Sequence, residues 1–211
     1  MVNFNKVLAY GRFIEDIQAC KKCKNVDTSM CLLGRLNGPL NSRIMFVGTA
    51  PGKKVEGVEQ KPFSVGPSTE NFEFFLKSSK IERSDVYITN AVLHIPLTNG
   101  LHRNPNDEEI LNCNEHLQRQ IEIIDPVIVV ALGALALKAL GYIKKHDLRT
   151  SRDAGCYERW NDRYLFALFH PSPTVTPSIR SYEDQIDDYK ALKKLSQQLR
   201  KKELIREIYI K

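Results

Sequence analysis

The sequence predicts an α/β protein, and three observations carry that expectation. Short apolar runs alternate with stretches of helical periodicity along the chain, an order that builds a mostly parallel sheet covered by helices on both faces. One run, Pro126-Val-Ile-Val-Val-Ala-Leu132, is unbroken in its apolar content, as a strand buried on both sides has to be. The runs also stop at polar or turn-forming residues, Gly48-Thr-Ala-Pro-Gly52, Asn90 and His170-Pro-Ser172. These fall at the carboxyl edge, where open parallel sheets place their chemistry.

Taken in order, Val7, Tyr10, Ile14 and Ile17 stand at helical spacing and lead into Cys20, so the first helix delivers the pair Cys20-Lys-Lys-Cys23. Residues 25–42 read as loop. Arg43-Ile-Met-Phe-Val47 is a buried strand halted by the tight Gly48–Gly52 loop. After a further loop, Ser68 or Thr69 caps a helix carrying Phe72, Phe75 and Leu76. Asp85-Val-Tyr-Ile-Thr89 is the second strand. Asn106 with Glu109 makes a capping box, and Ile110, Cys113, Leu117, Ile121 and Ile124 then share one helical face. Gly133 ends the third strand and opens a helix rich in Ala and Leu. Tyr164–Phe169 is the fourth strand. The final helix sets Ile186, Tyr189, Leu192, Leu195 and Leu199 on one side and basic residues on the other, a pattern read as a solvated face rather than a DNA groove.

At 211 residues, 42% hydrophobic and 27% charged, the chain has apolar material for one sizeable core. One domain over 1–211 is expected: an N-terminal helix and cysteine segment (1–42), the sheet and its helices (43–200) and a basic helical tail (201–211). The longest run free of charge and proline, Val127–Leu137, is too short to span a bilayer, and no apolar stretch of signal-peptide kind follows the amino terminus. A monomer in the prokaryotic cytoplasm, at the nucleoid and with no membrane contact, is the expectation. Thirty-one basic against twenty-five acidic residues give +6 and a pI near 9.0, which favours a polyanionic partner.

The loop Gly48–Lys54 invites a phosphate-loop reading, but only three residues separate its glycines and Lys54 stands where a hydroxyl is needed. Nucleotide triphosphate hydrolysis is therefore rejected. Five cysteines is an odd number, and a Cys-x-x-Cys pair after a helix suits metal better than thioredoxin-type redox chemistry. Cys113 is a natural third ligand, and His94, Cys31 and Cys156 compete for the fourth place. Zinc and an iron-sulfur cluster both fit that ligand chemistry. His170 ends a strand where its ring can face a cavity, and Asn90 ends another with donor and acceptor on one amide.

These pieces, taken in sequence, form a pattern. Cys-x-x-Cys, Arg-Ile-Met-Phe-Val-Gly-Thr-Ala-Pro-Gly, Lys-Pro-Phe63, Tyr-Ile-Thr-Asn90-Ala-Val, Asn-Pro-x-x-x-Glu-Ile-x-x-Cys113, Leu-Gly133 and His170-Pro-Ser occur in an order that resembles the iron-sulfur branch of the uracil-DNA glycosylase superfamily over roughly residues 20–190. The resemblance implies a three-layer α/β/α sandwich around a central four-stranded parallel sheet and an enzyme that flips uracil out of DNA and hydrolyses its N-glycosidic bond, leaving an abasic site. Carried over by position, Gly48, Ala50, Pro51, Gly52 and Phe63 line the base pocket. Phe63 stacks on the base, Asn90 pairs with its polar edge and His170 hydrogen-bonds its O2. Ser172–Arg180 enters the minor groove, with Ser172 and Arg180 on substrate. It also implies a [4Fe-4S] cluster held by Cys20, Cys23, His94 and Cys113. Relatives usually show Ala-Val-x-Cys-x-Pro where this chain has Ala-Val-Leu-His94-Ile-Pro.

Two departures concern catalysis. Relatives commonly read Gly-Glu-Ala-Pro-Gly, where this chain has Thr49, and some carry an aspartate where it has Gly66. Glu56, foremost, or Glu59 or Glu70 of the same loop, or backbone carbonyls, are then expected to position water. The alternatives to uracil excision are action on another deaminated base and a catalytically silent damage- or single-strand-binding homologue.

Overall fold

In a computed structural model describing residues 4–27, 33–52 and 61–209, the chain runs α1 (Phe4–Gln18), β1 (Val26–Asp27), β2 (Ile44–Gly48), α2 (Pro67–Ser78), β3 (Tyr87–Asn90), β4 (Ile95–Thr98), β5 (Leu101–His102), α3 (Asp107–Ile124), β6 (Ile128–Leu132), α4 (Ala134–Ile143), α5 (Thr150–Asp153), β7 (Tyr157–Trp160), β8 (Arg163–Leu168) and α6 (Tyr182–Tyr209). The main sheet has the order β3-β2-β6-β8-β7. Its first four strands are parallel and β7 pairs antiparallel to β8.

Alternation along each strand builds the three layers. Met45, Val47, Val129 and Ala131 point into a core with Tyr10, Phe13, Leu117 and Leu140, that is, toward α1, α3 and α4. Ile44, Phe46, Ile128 and Val130 point the other way, into a core with Phe72, Phe75, Tyr189 and Leu192 from α2 and α6. The α/β/α sandwich is therefore as expected. The sheet, however, has five strands rather than four.

The fifth strand and a small antiparallel β1-β4-β5 sheet were not foreseen. Strand β7 and the β4-β5 part of the small sheet arise from two-residue hairpin turns, and β1 joins by pairing with β4. Asn99-Gly100 joins Thr98 to Leu101, and Asn161-Asp162 joins Trp160 to Arg163, with positive φ at all four turn residues, the conformation that matches the twist of paired strands. Two helix details also differ. Val7 is exposed and Phe13 takes its place on the buried face of α1. The start of α2 is capped by Gly66 at φ 91 with Pro67 in the first turn, not by Ser68 or Thr69, because proline's fixed φ suits a first helical position. The Asn106–Glu109 box at α3 is reciprocal, with both hydrogen bonds at 2.9 Å.

No helix among the described residues is long and apolar enough to cross a membrane. The chain passes from β2 to β3 on one side and returns to β6 on the other, so a crevice opens at the carboxyl ends of β2 and β6, the topological switch point of the sheet.

Candidate functional site

Gly48 and Gly133 close the two strands that flank this crevice, and each makes room for a functional side chain. A Cβ on Gly48 would stand 2.5 Å from Asn90 Oδ1, and one on Gly133 would stand 3.2 Å from His170 Cβ. Gly133 also has φ 94, which disfavours other residues. Asn90, at the end of β3 and next to β2, is 5% exposed, and its amide has no hydrogen-bond partner among the described residues. The His170 ring follows β8, and burial pushes its imidazole below the ordinary histidine range.

Phe63 completes the group from the loop before α2. Its φ is 52, an unusual backbone state for an aromatic residue. The surroundings hold it there: Arg83 donates to the Pro62 carbonyl and to Glu73, and the Phe63 ring stacks on Phe72 with centroids 4.5 Å apart and planes at 24°. The His170 ring lies 6.0 Å from Phe63, tilted by 35°. Asn71 of α2 donates to the Pro171 carbonyl at 3.1 Å and accepts from Tyr182 Oη at 3.0 Å, tying the turn after His170 to two helices.

These residues share one cavity of about 840 Å³, lined also by Thr49, Ala50, Pro51, Gly52, Ser172 and Thr174. That size suits one small planar ligand. The sequence reading missed Lys61, His102 and Arg103, which line it too. His102 and Arg103 arrive on the unforeseen β4-β5 hairpin, whose signal was the Asn99-Gly100 dipeptide. Among the described residues, no aspartate or glutamate lines the cavity. Glu70 is exposed on α2, and Glu56 and Glu59 lie outside the described residues. Arg180 does not face the cavity as a free cation. Its Nε and Nη2 donate to Asp188 at 2.6 Å each, so the guanidinium from which a phosphate contact is expected is paired within the fold.

A second group lies against the N-terminal half of α3. Cys20, Cys23, His94 and Cys113 line one small cleft together with His116. The cysteine segment is fixed to α3 by Asn112, which donates to the Lys22 carbonyl at 3.1 Å and to Cys23 Sγ at 3.7 Å. Pairing of β1 with β4 brings His94, just before β4, against that segment. Nε2 of His94 and of His116 are both buried with no hydrogen-bond partner, and burial pushes both imidazoles down. The sequence reading missed His116, although it stands one helical turn beyond Cys113. Cys156, a fallback ligand, is exposed just before β7 and does not line the cleft. Cys31 lies outside the described residues. Among the described residues, no three His, Cys, Asp or Glu side chains are grouped as a single metal ion requires.

Fold and cavity together define an α/β/α protein with a cavity of mixed polar and apolar lining, Phe63 included, at the carboxyl edge of its sheet. The model of the uracil DNA glycosylase superfamily matches residues 36–196, and the chain belongs to that superfamily. It is 32% identical over 188 residues to the type-4 uracil-DNA glycosylase of Archaeoglobus fulgidus, covering 86% of this chain and 90% of the relative. It is 36% identical over 160 residues to that of Thermotoga maritima, covering 75% and 79%. A type-5 uracil-DNA glycosylase of Pyrobaculum aerophilum is 32% identical over 149 residues, 64% of each chain.

Proposed function

We propose that this chain excises uracil from DNA by hydrolysing the N-glycosidic bond, with Phe63, Asn90 and His170 as the residues that touch the base. The observation that carries the assignment of residues is their convergence, with the Phe63 and His170 rings 6.0 Å apart in one cavity. A base within a duplex is out of reach, so the nucleotide is extruded, and stacking on an aromatic ring returns about 1–3 kcal/mol of the unstacking cost. Phe63 is backed on one face by Phe72 and offers the other. The Asn90 amide presents a donor and an acceptor to the complementary edge of uracil.

As the bond between the sugar and the base breaks, its electron pair passes to the pyrimidine and charge gathers on O2. His170 meets that oxygen as a neutral imidazole donor, since burial disfavours its protonated form. A preorganised donor of this kind contributes about 10²–10³-fold in rate. Water completes the reaction at the sugar. Gly48, Ala50, Pro51 and Gly52 shape the wall against the nucleotide, Thr49 occupies the place where relatives carry a carboxylate, and Ser172 meets the DNA backbone beside the cavity. Glu56 is retained as a candidate for positioning water. The net charge of +6 favours DNA, single- or double-stranded, and binding weakens with salt as phosphates release counterions. We assign the chain to the cytoplasm, acting as a monomer.

The cysteine cleft fits an iron-sulfur cluster. Three thiols and a buried, unpartnered His94 nitrogen surround it. Zinc binds all its ligands at about 2.0–2.3 Å from one centre, and no such grouping occurs among the described residues. A cluster of several irons offers separate attachment points. Cys20, Cys23, His94 and Cys113 would hold a [4Fe-4S] cluster whose contribution is structural, fastening α1, the β1-β4 sheet and α3 together.

Single-turnover incision of uracil-containing single- and double-stranded oligonucleotides tests the activity. Abasic sites revealed by alkali are the expected result. Strands left intact while hypoxanthine or xanthine is released point to another deaminated base. Retention of a uracil strand without cleavage overturns excision in favour of a binding homologue.

A further inference from the structure

Hydrolysis needs a group that accepts a proton from the attacking water, and the described wall of the cavity carries no carboxylate to do so. We infer that His102 is that group, a further catalytic residue whose Nδ1 holds the water at the sugar. The inference rests on the excision reading above.

A single hydrogen bond fixes the tautomer of His102. His102 Nε2 lies 2.9 Å from the Pro51 carbonyl oxygen. A carbonyl only accepts, so Nε2 carries the hydrogen. A neutral imidazole holds one hydrogen, which leaves a lone pair on Nδ1. No donor among the described residues meets that lone pair, and His102 is an exposed residue that lines the cavity shared by His170, Asn90 and Phe63.

The placement is built rather than incidental. His102 pairs with Leu97 across the hairpin, and β4 is in turn paired to β1. The next residue, Arg103, anchors the hairpin to α3 through a two-point pair with buried Glu109, both at 2.7 Å, and donates to Thr98 Oγ1 at 2.8 Å. Pro51 belongs to the Thr49–Gly52 wall, so the Pro51 bond fixes the ring against that side of the cavity. The charged groups on this side of the lining are Lys61 and Arg103, and Arg103 is neutralised by Glu109.

The step balances. The bond from C1′ to the base nitrogen breaks with its electrons going to the base. The water oxygen forms the new bond to C1′, and one water proton passes to Nδ1. The resulting imidazolium returns that proton to solvent.

Four proteins test the assignment in single-turnover excision across pH, with uracil-DNA binding measured alongside: wild type, His102→Gln, His102→Ala and Glu56→Gln. Glutamine can still donate to Pro51 but has no basic nitrogen. His102→Gln is expected to bind uracil DNA within about threefold of wild type while excision falls about 10²–10⁴-fold, the usual range for removing a general base. Added imidazole restores part of the activity of His102→Ala, which a purely structural role would not allow. Excision by His102→Gln at wild-type rate and pH profile, or loss confined to Glu56→Gln, overturns the inference and leaves the excision reading standing. A stable covalent link between protein and DNA at His102 also overturns it, since the lone pair would then act on the sugar rather than on water. Wild type that leaves uracil DNA intact overturns both.

Discussion

At the sheet edge, the Asn90 amide and His102 Nδ1 have no partner among the described residues yet open onto a cavity of about 840 Å³. In the cysteine cleft, Nε2 of His94 and of His116 also lack partners, but they are buried. The same hydrogen-bond deficit has different costs in the two places. An accessible polar group bonds to water until a ligand displaces it, whereas a buried orphan costs about 1–3 kcal/mol unless something stays bound to it. The first arrangement suits a substrate that comes and goes, the second a resident group. The backbone agrees. The cavity draws on the ends of separate strands and on Phe63 held at φ 52, while the cleft is stitched by side chains such as Asn112.

The comparison is broken most directly at His170. His170→Leu removes the donor at O2, and excision should fall about 10²–10³-fold, while circular dichroism and uracil-DNA binding remain close to wild type. Equal losses of binding and excision would show that His170 acts on the ground state instead. In the cleft, His94→Ala should release iron, abolish broad visible absorption and lower Tm by several degrees, at about 2–4 °C per kcal/mol for a chain of this size. Cys156→Ser should leave all three unchanged. If Cys156→Ser loses the colour and His94→Ala keeps it, the resident-group reading of the cleft fails at His94.

How much of this was legible in the sequence follows the range of the interactions. The Asn106–Glu109 box is local, and its bonds formed as the residues suggested. The buried strand at Ile128–Leu132 announced itself by composition. Strand β7 did not: three of its four residues keep contact with solvent, so its pattern lacks the apolar alternation that marks a half-buried strand. The Asn99-Gly100 and Asn161-Asp162 turns were nevertheless readable signals, and the first of them places His102. The order of motifs marked Asn90, Phe63 and His170, but not that Gly48 has to be bare for Asn90 to fit. The Arg180–Asp188 pair joins a loop to α6, a juxtaposition that no local pattern encodes.

A smaller effect sharpens the cavity side. Gly48→Ala puts a methyl carbon 2.5 Å from Asn90 Oδ1, and the amide must rotate away. Excision is expected to drop about tenfold, or ~1.4 kcal/mol at the barrier. Release of thymine, measured beside uracil, reports whether the displaced amide still selects the base. An unaltered rate and selectivity would mean that Asn90 does not hold the base in the position assigned.

The smallest effect is on stability against pH. His170 has its folded-state pKa depressed below the ordinary 6.5 by burial, so between the two values the unfolded chain binds more protons than the folded one. Stability from this group is therefore fully present above about pH 6.5 and declines as pH falls toward the folded value. Urea unfolding of wild type and His170→Asn at pH 7.5 and 5.5 isolates it, because His94 and His116, also depressed, are common to both proteins. Wild type should lose more stability than the variant on acidification. Equal losses would mean that the ring protonates in place without cost, which a neutral imidazole donor facing a departing base does not allow.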